Sequence, residues 1–331
     1  MNGGVVMLAV RRWPGRARDG VREAGHIFVR MARAAMRDRV HGLAAEASFW
    51  TMLSLPPLLL ALLTLIGELG AVFGTDMATP VANAVVDWAD GVFTDRTMHD
   101  VVRPLVTTTL REGGAGVLTL SLLLALWSGS AAVNAYISAI TLAYDMDGLR
   151  SFWRTRLLSL AVYLSSLVIG SVLLPLLVLG PVTAGDLLAG VAGGHLTWLV
   201  TAGYWPLVIT LALVGLTSLY HVAVPVRTRW RRDLPGAVVA VLLWLGGSAG
   251  LRFYLASGGG GHAGAAAAPI AVLIFFFVTA LAVLIGAELN ASIDDFQPDA
   301  STATGRREAR RRRRVRNRSG AGDLRPAQNE T

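Results

Sequence analysis

The chain has 331 residues, 53% of them hydrophobic and only 16% charged, well below the roughly 25% charged of a soluble domain. With a mean hydropathy of +0.53, this composition excludes an ordinary soluble fold and points to a polytopic membrane protein. The absence of cysteine excludes disulfides, thiol nucleophiles and cysteine-ligated zinc, and the net charge of +8 is carried by 30 arginines without one lysine.

The first apolar patch, Val5 to Val10, is too short to span and is followed rather than preceded by arginines, so it lacks the order of a secretory signal peptide. From Asp19 to Arg39, Val21, Ala24, Ile27, Phe28, Met31 and Ala35 recur near helical spacing between charges. The pattern predicts an amphipathic helix on the membrane surface, held by anionic lipid headgroups and a buried apolar face.

Six apolar runs follow, at about 43–67, 115–144, 157–180, 197–220, 236–255 and 267–290. Each approaches or exceeds the roughly 20 residues that cross a hydrocarbon core of about 30 Å. Pro56 and Pro57 in the first run, Pro175 in the third and Pro206 in the fourth predict kinks or breaks, because proline removes an intrahelical hydrogen bond and clashes with the preceding turn. Between the first two runs, stripes through Val81, Val85, Trp88 and Val92 and through Val101, Leu105 and Leu110 predict two short extracytoplasmic helices. The predicted fold is an all-α, six-helix transmembrane bundle. Its regions are a cytoplasmic N-terminal region, 1–41, a spanning domain, 42–293, and a tail, 294–331. The tail carries little apolar content and an arginine block from Arg306 to Arg318, which predicts disorder.

The arginines set the orientation. Nine precede the first run, three follow the second, four follow the fourth and ten lie in the tail, whereas the alternate loops hold three, all within 75–114. The positive-inside rule then puts both termini in the cytoplasm, as in a multi-pass bacterial inner-membrane protein.

Polar residues inside apolar runs are costly and therefore candidates for sites. Glu46, Asn134 and Glu288 fall at comparable depth near the cytoplasmic ends of the first, second and sixth runs, with Asn290 one turn-half beyond Glu288. One reading converges them with Arg150 or Arg227 on a polar vestibule, where carboxylate and guanidinium pair. The other makes them helix-locking groups. No catalytic residues are expected, since no HExxH or comparable metal spacing and no P-loop occurs, and Asp145, Asp147, Asp294, Asp295, His41 and His221 read as loop and cap residues. No cofactor or metal is expected. No nucleic acid is expected either, because no aromatic interleaves the tail arginines.

The run DRVHGLAAEASFWTMLSLPPLLL (Asp38 to Leu60), the YDMDGLRSFWRTR loop, the YHVAVPVRTRWRRDLPGA loop and the closing GAELN together resemble the YihY/BrkB family of bacterial inner-membrane proteins. The matching positions are Asp38, Ala44, Ala45, Ser54 and Pro57; Arg150; Tyr220, Pro225, Arg227, Pro235, Gly236 and Ala237; and Gly286, Ala287, Glu288 and Asn290. The resemblance implies a multi-pass membrane protein, with a suggested role in transporting a lipid or another envelope component and with an older ribonuclease label. It brings no catalytic residue set. A non-transporting scaffold that recruits a partner is the alternative, and substrate and oligomeric state stay open.

Overall fold

The computed structural model describes residues 16–73, 86, 115–171, 197–226, 229–255, 267–296 and 300–322. Helix α1 (Arg16–Arg37) leads through a tight turn into α2 (Val40–Phe73), followed by α3 (Ala115–Ala143) and α4 (Phe152–Ser171). Next come α5 (Thr197–Ala223), a 3-10 turn at Trp230–Arg232, α6 (Leu234–Tyr254), α7 (Ala267–Phe296) and α8 (Ala300–Gly322). Among the described residues no strand occurs, and six helices, α2 to α7, are long and apolar enough to cross a membrane. The all-α, six-span expectation therefore holds. The short helices expected within 75–114 lie outside the described residues, apart from the single helical residue 86.

Helix α7 is the hub, packed against α6, α2, α3 and α1, while α2 lies along α3. The packing inverts the pattern of a soluble core. Ala44 and Ala47 of α2, Ala135 and Ala139 of α3, Ala237 of α6 and Ala280, Ala287 and Ala291 of α7 are buried in one cluster. Large side chains such as Leu122, Trp127, Leu242 and Leu245 point outward. Lipid tails are as apolar as leucine, so burying leucine gains little in a bilayer. Small residues let backbones approach and gain dispersion contacts instead. Several buried hydroxyls are satisfied within their own helices: Ser48 donates to the Ala45 carbonyl, Ser128 to Leu124 and Thr217 to Leu213.

Of the kinks or breaks expected at the prolines, the breaks do not occur among the described residues. Helix α2 runs unbroken through Pro56 and Pro57, and α5 through Pro206. Neighbouring helices and serine or threonine side chains can compensate for lost ladder bonds at such positions, and Ser54 donates to the Thr51 carbonyl one turn before Pro57. Pro175 lies outside the described residues.

The tail also departs from its composition. Instead of a disordered segment from residue 294, α7 continues to Phe296 and α8 forms a second helix that docks on the bundle. Ala309 is buried, and Gly305 sits so close to Val226 that an added Cβ would meet its Cγ1 at 2.8 Å. The arginine block alone would repel itself. The acids at the end of α7 hold its first arginine, Arg306.

Candidate functional site

The polar residues of α1, α7, α8 and the interhelical turns gather at one end of the bundle. Two structures form there, a packed junction and an open cavity.

The junction is built on the N-terminus of α6. A helix start leaves backbone N–H groups without intrahelical partners, and Asp233, at the N-cap position, would ordinarily supply the acceptor. Its carboxylate makes no cap bond. It is buried and turned away, with Oδ1 accepting from the Tyr144 hydroxyl at 3.3 Å and Oδ2 at 3.4 Å from His221 Nδ1. Burial pushes the Asp233 carboxyl above its usual range, with His221 and Tyr144 opposing that shift, and burial beside Asp233 raises the Tyr144 phenol well above its ordinary value. The cap is provided by α7 instead. Asn290 Oδ1 accepts from the Gly236 N–H at 2.7 Å and its Nδ2 donates to the Asp233 carbonyl at 2.8 Å. Above it, Gly236 and Gly286 pack backbone to backbone, and the buried Tyr220 hydroxyl donates to the Val283 carbonyl at 2.7 Å.

Arg150 performs the complementary task at the C-terminus of α5. Its guanidinium donates to the carbonyls of Val222, Ala223 and Val224 at 2.9–3.0 Å, satisfying orphan acceptors and placing positive charge where the helix dipole is negative. Partial burial lowers its pKa from the usual arginine value. Arg150 is therefore committed to a helix end and does not pair with Glu288.

The cavity, about 160 Å³, lies between α1, α7, α8 and the α3–α4 turn. Arg30, Arg33 and Arg37 of α1 and Arg306 of α8 contribute guanidiniums, and Asp145, Asp295 and Glu288 contribute carboxylates. Most of these charges are already paired. Arg30 meets Asp295 at 2.8 Å, Arg37 holds Asp38 through two bonds of 2.8 and 3.0 Å, and Arg310 reaches Asp145 at 3.5 Å. The Asp38 hydrogen bonds raise the Arg37 pKa further. Arg306 binds Asp295, Asp294 (2.7 Å) and the Tyr144 carbonyl (3.2 Å). Glu288 differs. Only 2% of it is exposed, its Oε2 has no hydrogen-bond partner, and no arginine among the described residues comes within ion-pair distance of it.

Of the residues singled out from the sequence, the structure brings only Glu288 into the cavity. Asn290 is a helix lock, and Asn134 meets Ser159 of α4 at 3.4 Å. Glu46 stands exposed on α2, away from the cavity lining, and Arg227 lies outside the described residues. The expected convergence of Glu46, Asn134 and Glu288 on Arg150 or Arg227 thus does not form among the described residues. The basic wall comes from Arg30, Arg33, Arg37 and Arg306, which sequence reasoning assigned to a surface helix and a disordered tail. Their signal was the near three-to-four-residue spacing of Arg30, Arg33 and Arg37, which puts them on one helical face.

Helix α1 has three faces. At about 100° per residue, the arginines form one, and Met31, Ala34 and Ala35 form the side with the most burial. Phe28, Val29 and Met36 form a third, largely exposed. An apolar stripe beside a basic stripe is the pattern of a helix lying in a membrane interface.

Arg306 carries much of the docking of α8. Arg306→Ala removes charged hydrogen bonds worth about 2 kcal/mol together, so amide exchange across residues 300–312 should rise roughly thirtyfold if opening governs it. Exchange measured by mass spectrometry on the detergent-solubilised protein checks this. Unchanged exchange would mean that the pairs to Asp294 and Asp295 contribute nothing to docking.

A bundle whose described residues are helical and include six helices apolar enough to span is that of a multi-pass membrane protein. Its sequence matches the family model "Virulence factor BrkB" over residues 31–312, and the chain belongs to that family. It is also similar to YfkH of Bacillus subtilis (strain 168), described as ribonuclease-like, with 27% identity over 258 residues covering 75% of this chain and 88% of that protein. No solved structure matches. Among the described residues, no group of three or more histidine, cysteine, aspartate or glutamate side chains is placed to hold a metal ion.

Proposed function

We propose that this protein receives the headgroup of an amphiphilic envelope component at its cytoplasmic face and transports it across the bacterial inner membrane. The observation that supports this reading is the arginine-walled cavity with its buried carboxylate, set beside a helix whose Phe28, Val29 and Met36 are exposed. Charged groups in such a position are expensive without a ligand or a partner. In this reading both termini are cytoplasmic, as the arginine distribution favours, and α1 is held by anionic lipid.

The test is reconstitution in liposomes containing phosphatidylethanolamine with a fluorophore on one acyl chain and a free headgroup, with dithionite quenching to follow exchange between leaflets. Exchange faster than in empty liposomes, slowed by Arg33→Ala, is expected. Exchange equal to that of empty liposomes would overturn transport.

The tightly packed alanine cluster between α2, α3, α6 and α7 favours a second reading, a scaffold that organises partners in the membrane without moving a substrate. Both readings are non-enzymatic. The ribonuclease-like description of YfkH would imply phosphodiester hydrolysis, which usually draws on clustered metal ligands or a paired acid and base. Incubating the purified protein with structured RNA and divalent cations should give no cleavage above a buffer control.

A further inference from the structure

We propose that the cavity beneath α1 is a site for a zwitterionic aminophosphate, a primary ammonium joined through a short linker to a phosphate, as in the headgroup of phosphatidylethanolamine. This rests on the proposed role of the cavity as a headgroup site and names the headgroup it takes.

The argument follows from which charges the protein leaves unmatched. Around the cavity, Arg30 is spent on Asp295, Arg37 on Asp38 and Arg306 on Asp294 and Asp295. Two groups remain. Arg33 lines the cavity and makes no ion pair among the described residues. Glu288 lines it from the opposite helix, nine-tenths buried and more, with Oε2 unpartnered. A carboxylate in the wall of a polar space, with one oxygen lacking a donor, calls for one, and a cationic donor matches it best. A guanidinium at the rim calls for an oxyanion, and phosphate matches its fork of donors. A ligand carrying only a phosphate would leave Glu288 unsatisfied and add a like charge near it. A ligand carrying only an amine would leave Arg33 unused. One molecule with both groups satisfies both walls.

The placement of α1 gives the direction of entry. Its exposed apolar stripe of Phe28, Val29 and Met36 adjoins the basic face, so the helix lies where acyl chains meet headgroups. The cavity, about 160 Å³, is smaller than the roughly 300–1,000 Å³ of sites that enclose a whole drug-sized ligand. It admits a headgroup while the chains stay in the lipid. The ammonium goes inward to Glu288 and the phosphate stays at Arg33.

The experiment measures equilibrium binding of the full-length protein, in neutral detergent, to short-chain phosphatidylethanolamine, phosphatidylcholine and phosphatidylglycerol, and to soluble phosphoethanolamine. Thermal unfolding of each variant controls for folding. Phosphatidylethanolamine should bind about tenfold more tightly than phosphatidylglycerol, the factor expected for one charged hydrogen bond. Phosphatidylcholine, whose methylated nitrogen cannot donate, should fall with phosphatidylglycerol. Glu288→Gln should abolish the preference, weakening phosphatidylethanolamine binding and strengthening that of phosphatidylglycerol by removing the like charge, and Arg33→Ala should weaken both. Competition by phosphoethanolamine at comparable affinity would identify a soluble aminophosphate as the ligand, and its failure to compete would identify the lipid. Equal binding of the three lipids, or a preference that survives Glu288→Gln in a folded variant, would overturn the assignment even if leaflet exchange is observed. Selective binding without exchange would overturn transport and leave the site standing.

Discussion

Gly236→Ala should destabilise the protein by about 3 kcal/mol or more, at the upper end of overpacking effects. A Cβ at Gly236 would fall well inside contact distance of the Gly286 carbonyl oxygen and of the Asn290 side-chain amide, and one at Gly286 would meet the Gly236 carbonyl and the Tyr220 hydroxyl. Neither obstacle is a flexible chain end. The Gly286 carbonyl belongs to a helix backbone, and the Asn290 amide is held by two hydrogen bonds. The helices would have to separate, losing the close approach that stands in for hydrophobic burial in lipid. Gly246→Ala on the same helix is the matched control. Its Cβ meets nothing within 4 Å, so it should be neutral or stabilising by up to about 1 kcal/mol from helix propensity. Heating in detergent followed by size-exclusion chromatography compares the two. Equal melting temperatures would show that the α6–α7 contact yields easily and that its closeness is not a stability determinant.

Asn290→Leu should cost about 2 kcal/mol, because it strands the buried Gly236 N–H, at roughly 1–3 kcal/mol when unpaired, and leaves the Asp233 carbonyl with only the Ala237 N–H at 3.3 Å. The other intramembrane asparagine provides the contrast. Asn134 has one contact of 3.4 Å, with Ser159, at the weak end of hydrogen-bond geometry, so Asn134→Leu should cost less than about 1 kcal/mol. The same thermal assay distinguishes them. A comparable loss from both substitutions would mean that intramembrane polarity in general, rather than the cap on α6, is what the bundle requires.

These two sites also explain why separate sequence motifs belong together. The residues matched to the family include Tyr220, Gly236, Gly286 and Asn290, which lie far apart in the chain but meet at the α5–α6–α7 junction. Their role there is packing and capping. Glu288, two positions before Asn290, faces the other way into the cavity, as the helical rotation between positions two apart requires. The GAELN motif thus serves the junction on one side and the candidate ligand site on the other.

Much of this protein follows from local physics. Runs of about 20 apolar residues have to become helices in a bilayer, because lipid offers no partner for an open backbone, and the spacing of α1 marks an amphipathic helix without reference to anything else. Glu288 was legible as a costly group in an apolar run. The tertiary structure decided its partners. Pairing depends on which helix faces which and on residues brought together across 265 positions, as Arg30 and Asp295 are. The same physics docks the expected disordered tail as α8, since Asp294 and Asp295 hold Arg306 and Asp145 meets Arg310. The apolar runs determined that this is a six-span membrane protein. Only the packing of α1 and α8 onto α7 left Arg33 and Glu288 as the unmatched charges of a cavity, because an unmatched charge is a property of an assembled surface and not of any stretch of chain.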